Sequence, residues 1–220
     1  MAAPLRLAHR GDWRRAPENT LAALLAATAV PACDGLEFDV RVAADGVPVL
    51  LHDETLQRVQ RRPERVDERA AWELEDVGIP SLADVLAAVP RAAFLDVELM
   101  GLHDRAVVEV LAAGRGTDLR RAVVSSFEPE TLERIGGLAP TWPRWFNADD
   151  LAPETIRTAV ELGCRGISVE WRAIDEASMA RARAAGLEVA AWTVRRRPTF
   201  ERLARLGVVA VCVEAAALDG

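Results

Sequence analysis

The sequence contains no lysine; every basic residue other than histidine is arginine. With its abundant alanine this reads as genomic bias, and no function is drawn from it. Cysteine is scarce as well. Cys33, Cys164 and Cys212 lie far apart in apolar surroundings, which excludes a disulfide framework and fits reduced core thiols in a cytoplasmic protein. Positive charge is in deficit, with a formal net charge of -7, so nucleic-acid binding has no electrostatic support. No uninterrupted apolar run is long enough to cross a bilayer, which argues against stable membrane insertion. The N-terminal MAAPLRLAHRG is too short and too soon broken by charge to act as a signal peptide. No Gly-rich dinucleotide fingerprint follows the first apolar run, and no repeat or low-complexity block stands out.

What remains is a chain of 220 residues, half of them hydrophobic, enough for one domain over 1–220 with a sizeable core. Strand and helix patterns alternate along it. Strands are predicted at Leu5 to Ala8, Gly35 to Val42, Phe94 to Leu99, Val123 to Ser125, Gly166 to Glu170, Glu188 to Val194 and Val208 to Val213. Asn19 or Thr20 caps the first helix, Ser81 another, and Asp104 to Ala113 reads as a third. Asp45-Gly46 marks a hairpin that returns through Val47 to Leu51. Gln57 to Arg69 reads as an exposed loop, and Pro140 to Phe146 makes a poor strand because of its prolines. About eight βα steps in this length predict a compact α/β fold, the (β/α)8 or TIM barrel, with a short or missing last helix.

Glu37 and Asp39 stand two residues apart on a strand otherwise built of Leu36, Phe38 and Val40, so both carboxylates point to one side. Paired acids resist burial unless a cation or strong hydrogen bonds compensate, and a hard divalent cation is the economical partner. His9, Glu37, Asp39, His52, Glu98, Ser125 and Trp192 all fall at or near the C-terminal ends of predicted strands. In a barrel those ends converge on one mouth, where active sites are built. Ser125 has no Ser-His-Asp setting and is not read as a nucleophile. His103, beside Asp104, reads as a surface or capping residue.

HRG (His9 to Gly11), PENT (Pro17 to Thr20), ExD (Glu37, Asp39) and DGVPVLLHDETLQR (Asp45 to Arg58) follow one another in that order. IPSLADVL, VEL, SSF and WTV come later. At these residues the sequence resembles the glycerophosphodiester phosphodiesterase family over essentially its whole length. The resemblance implies a TIM barrel that binds Mg²⁺ or Ca²⁺ and hydrolyses glycerophosphodiesters to sn-glycerol 3-phosphate and an alcohol. It implies Glu37, Asp39 and Glu98 as metal ligands and His9 and His52 as the acid/base pair. Arg10 would clamp the phosphate and Trp192 would pack on the glycerol. Met100 replaces a lysine, Arg195 an asparagine and Glu214 an aspartate of the family pattern, and Arg195 is expected to restore the charge lost at Met100. Trp13, Trp142, Trp145 and Trp171 are candidates for lining a pocket for the alcohol, where a choline cation would suit aromatic faces. Two competing readings stand beside this one: a lysophospholipase D-like lipid phosphodiesterase, which needs an apolar entry, and a non-catalytic barrel that binds metal or phosphate.

Overall fold

The first strand runs Leu5–His9 (β1), and every barrel strand after it returns parallel to it. The computed structural model describes residues 3–103 and 105–220. After β1 come α1 (Leu21–Thr28), β2 (Gly35–Val42) and the short β3 (Pro48–Leu50), which turns back antiparallel on β2 through Asp45-Gly46. Two short helices follow, α2 (Ala71–Glu75) and α3 (Leu82–Ala88). Then the alternation is regular: β4 (Phe94–Leu99), α4 (Arg105–Arg115), β5 (Ala122–Ser126), α5 (Pro129–Leu138), β6 (Arg144–Ala148) and α6 (Pro153–Glu161). It ends with β7 (Gly166–Glu170), α7 (Glu176–Ala184), β8 (Glu188–Val194), α8 (Arg197–Leu206) and β9 (Ala210–Val213).

The sheet order β1-β9-β8-β7-β6-β5-β4-β2 closes on itself because β1 also pairs with β2, and β3 lies outside the ring. This is a closed eight-stranded parallel barrel wrapped by helices, a TIM barrel. After β9 a 3-10 turn spans Ala215–Ala217.

Side-chain parity divides each strand. Outward residues such as Leu36, Phe38, Val97 and Val124 pack under the helices in the main core. Inward residues Leu7, Val123, Trp145, Ala190, Ala210 and Cys212 fill the lower half of the barrel. Helix starts follow local chemistry: the Thr20 side chain accepts from the Ala23 N–H, and that of Ser81 from Asp84. Proline occupies the first turn of α5, α6 and α8, where its missing N–H costs nothing.

Three expectations change. β6 begins at Arg144, after Pro140 and Pro143, so the prolines lead into the strand and do not interrupt it. Gln57 to Arg69 is not simply an exposed loop: Val66 is buried together with Leu56 in a satellite core with Val49, Leu51, Leu74 and Ile79. Apolar anchors that far apart carry no periodicity. His103 is buried rather than on the surface, and its Nε2 lies 3.1 Å from the Val40 carbonyl. Burial pushes its imidazole down to about 4, which keeps it neutral. Asp104, expected to open α4, lies outside the described residues.

Candidate active site

The HRG turn shapes the mouth. Gly11 sits at φ +87, and a Cβ there would lie 2.6 Å from the Ala23 carbonyl carbon, so only glycine lets this loop press against α1. Arg10 and Asn19 also hold positive φ, each at 57. Such strain in non-glycine residues persists only where surrounding contacts enforce it. Those contacts are on hand: the Arg10 N–H donates to the Glu37 carbonyl at 2.8 Å, and Asn19 N–H donates to the Arg10 carbonyl at 3.0 Å. The Asn19 amide donates to Asp39 Oδ2 at 2.7 Å. Asn19 thus steadies a carboxylate, while Thr20 is the cap of α1.

Strand pairing sets Glu37 opposite His9, and Asp39 opposite Glu98. Carboxylate oxygens of Glu37, Asp39 and Glu98 come within 4.8 Å of one another. Burial, then the charges of Asp39 and Glu98, pushes the Glu37 carboxyl well above its usual range. Burial, followed by Asp39 and Asp96, pushes Glu98 up to about 8. The Arg10 guanidinium answers part of this charge, with Nε 2.9 Å from Asp39 and Nη1 3.0 Å from Glu18. Even so, Glu37 Oε1 and Asp39 Oδ1 are buried without a hydrogen-bond partner among the described residues. Converging acidic oxygens with unused lone pairs fit a hard divalent cation.

Each mouth imidazole is anchored through Nδ1 by a carboxylate. His9 Nδ1 lies 2.6 Å from Glu214 Oε1, and His9 Nε2 faces Glu37 at 3.8 Å. His52 Nδ1 lies 2.7 Å from Asp53 Oδ1. Arg58 then joins the two loops, donating to Asp53 at 2.6 Å and to Glu18 at 2.6 Å. The hydrogen bonds from Arg58 help to hold Asp53 and Glu18 down at about 2 against the opposing effect of burial.

A cavity of about 190 Å³ occupies the mouth, and His9, Arg10, Glu37, His52, Glu98 and Trp192 line it. Asp39 sits behind this wall, fully buried. Trp192 donates its indole N–H to the Ser168 carbonyl and meets Phe127 edge-on with centroids 5.6 Å apart. Arg195 is not among the residues lining this cavity, and its Nε binds Glu214 Oε2 at 2.6 Å. The tryptophans part company as well. Trp142 is buried in the helix layer and donates to Thr117, Trp145 fills the lower barrel, and Trp13 and Trp171 are outside this cavity.

Glu214, Asp96, Asn147 and Ser168 are site residues that sequence reasoning passed over or read only as departures. Asp96 accepts from Ser125 Oγ at 2.6 Å and, by burial, is pushed up to about 7. All four are polar residues on the inward parity, and Asn147 and Glu214 also fall at or just past a strand's C-terminal end.

Relatives of known structure and sequence share this arrangement of strands. A solved phosphodiesterase from Oleispira antarctica, in complex with the product sn-glycerol-3-phosphate, superposes with a TM-score of 0.84 at 27% identity, covering 96% of this chain and 93% of that one. The glycerophosphodiester phosphodiesterase of Caldanaerobacter subterraneus subsp. tengcongensis is 27% identical over 222 residues, 93% of this chain and 91% of its own length. A Thermotoga maritima glycerophosphodiester phosphodiesterase shares the fold, with a TM-score of 0.82 at 22% identity over 100% of this chain and 97% of its own. The sequence profile of the glycerophosphoryl diester phosphodiesterase family matches residues 9–218. With its fold shared and the family profile matched over nearly its whole length, the chain belongs to the glycerophosphoryl diester phosphodiesterase family of enzymes.

Proposed function

We propose that the protein, as one domain, hydrolyses glycerophosphodiesters to sn-glycerol 3-phosphate and an alcohol, with Mg²⁺ or Ca²⁺ held by Glu37, Asp39 and Glu98. The observation that carries this reading is the pairing of buried, unpartnered carboxylate oxygens with two carboxylate-anchored imidazoles around one cavity. A cation bound there supplies Lewis-acid charge to the phosphoryl oxygens.

The protein's own groups do the rest. Arg10, already oriented by Asp39 and Glu18, clamps the anionic phosphoryl group. Glu214 and Asp53 occupy the Nδ1 atoms of His9 and His52, which leaves Nε2 of each ring for proton transfer. One imidazole takes the proton of the nucleophile and the other supplies a proton to the departing alkoxide; the nucleophile is water, or the glycerol 2-hydroxyl, in which case water then opens the cyclic phosphate to sn-glycerol 3-phosphate. Trp192 offers its ring to the glycerol carbons. The three free thiols fit a reducing, cytoplasmic setting, and among the described residues no helix is long and apolar enough to cross a membrane.

The competing readings gain less. A lysophospholipid needs an apolar route to the phosphoryl site, but the apolar groove at Pro17, Leu21, Val59, Val77 and Pro80 shares no lining residue with the catalytic cavity. A non-catalytic barrel leans on Met100, Arg195 and Glu214; of these, Arg195 pairs with Glu214, and Glu214 in turn binds His9. The test is release of sn-glycerol 3-phosphate from a panel of diesters with added Mg²⁺ or Ca²⁺. Turnover that persists in His9→Ala, or is absent throughout, refutes the proposal.

A further inference from the structure

A second, larger cavity of about 610 Å³ adjoins the catalytic one. It lies at the ends of β7 and β8 and shares Trp192 and Thr193 with its neighbour. Trp171, Glu170 and three arginines, Arg172, Arg195 and Arg196, complete its wall. On a chain of net charge -7 this is a local excess of positive charge. Glu170, the carboxylate in that wall, already accepts from the Arg172 backbone at 2.7 Å and from its Nη1 at 2.5 Å. Arg195 is engaged through Nε by Glu214, and Arg196 is exposed with no ion-pair partner among the described residues.

The aromatic surface here is already taken by cations. The Arg172 guanidinium lies 4.4 Å from the centroid of Trp171, and that of Arg202 lies 5.7 Å from it. A quaternary ammonium brought to Trp171 would displace or face these like charges. An alcohol esterified to a phosphate in the catalytic cavity and leaving past Trp192 would enter this arginine-lined space. Guanidinium forks match the geometry of phosphate and carboxylate.

We infer that this cavity is the subsite for the departing alcohol, and that it favours glycerophosphodiesters whose alcohol carries a second anionic group over those carrying a quaternary ammonium. The inference rests on the phosphodiesterase reading above. Arg196 and Arg172 are its specificity residues, acting on substrate binding and not on proton transfer.

Three substrates test it on the cation-loaded protein: glycerophosphoglycerol, the same diester bearing a terminal phosphate, and glycerophosphocholine. A charge-assisted contact predicts kcat/KM about tenfold higher for the terminally phosphorylated diester than for its parent, carried mainly in KM, with glycerophosphocholine below both. Arg196→Glu and, separately, Arg172→Gln should each lower the ratio of phosphorylated to parent diester by about threefold to tenfold. Arg120→Glu makes the same charge change as Arg196→Glu at an exposed position before β5, and it should leave the ratio unchanged. A ratio near one in the wild type, a preference for glycerophosphocholine, or a ratio indifferent to both arginine variants overturns the subsite while hydrolysis stands. Failure to hydrolyse any of the three overturns the phosphodiesterase reading and the subsite with it.

Discussion

Trp145 and Asn147 stand two residues apart on the inner face of β6, and their surroundings are opposite in kind. Trp145 is 2% exposed, stacks on Phe94 with centroids 6.1 Å apart, and donates its indole N–H to Glu188 at 2.7 Å. Glu188 in turn binds Arg165 at 3.0 Å. Asn147 is just as hidden, yet its Oδ1 has no partner among the described residues, and its side chain hydrogen-bonds Glu98, whose carboxyl is pushed up by burial. Below this level the barrel is filled by apolar side chains, and the one indole N–H described there is matched by Glu188. Above it, like charges crowd together with unused lone pairs. Buried polar groups in folded proteins are normally satisfied, so an unsatisfied cluster marks a place that a ligand completes. The lower half holds the ring shut, and the upper half is held ready by it.

That division can be broken by experiment. The largest effect is expected from His9→Ala, which should cut turnover on the order of 10³-fold, about 4 kcal/mol of barrier, with little change in the thermal midpoint. A collapse of stability in this variant would show that the mouth also holds the fold together. Next comes Trp145→Ala, which empties the lower core and should cost about 3–5 kcal/mol in urea denaturation. The native fraction should bind its cation with unchanged affinity, and a parallel loss of affinity would couple the two halves.

Cation binding sharpens the comparison. Mg²⁺ or Ca²⁺ at about a hundred times its dissociation constant should stabilise the fold by about 2.7 kcal/mol. The pH dependence has a definite sign. Burial pushes the Glu98 carboxyl up to about 8 from its ordinary 4.5, and that of Asp96 up to about 7 from 3.8. Between those values the folded chain holds more protons than the unfolded one, so cation-free stability should fall as pH rises from about 4 to about 8. Saturating cation should flatten that slope, and a slope that ignores the cation would separate it from these acids. A smaller loss is expected for Glu214→Gln, about 10–100-fold in kcat with KM nearly constant, and Glu214→Asp should recover part of it. An unaltered kcat would show that His9 needs no anchor.

The barrel was legible because its strands and helices alternate with clear punctuation. Gly35–Val42, Phe94–Leu99, Gly166–Glu170 and Glu188–Val194 have the bounds their residue patterns predict. Glu37 and Asp39 stood out by their spacing on an otherwise apolar strand, and more strongly by sharing the strand-end placement of His9, His52 and Glu98. Arg195 shows where sequence reasoning stops: it follows the right strand, but its charge is claimed by Glu214, nineteen positions on, and only the closed ring brings the two together. Burial of His103 was equally hidden, because the Val40 carbonyl it meets lies 63 residues away. The satellite core around Val66 escaped for a third reason, since its anchors follow neither helix nor strand periodicity.

The concealment of His103 makes the protein a self-reporting one. It has three histidines, and the buried one is driven down to about 4 and kept from protonating under ordinary conditions. An imidazole signal that shifts on adding a ligand while that of His103 stays fixed therefore comes from His9 or His52 at the barrel mouth, so ¹H–¹⁵N spectra can follow ligand arrival there without an added label or an engineered probe.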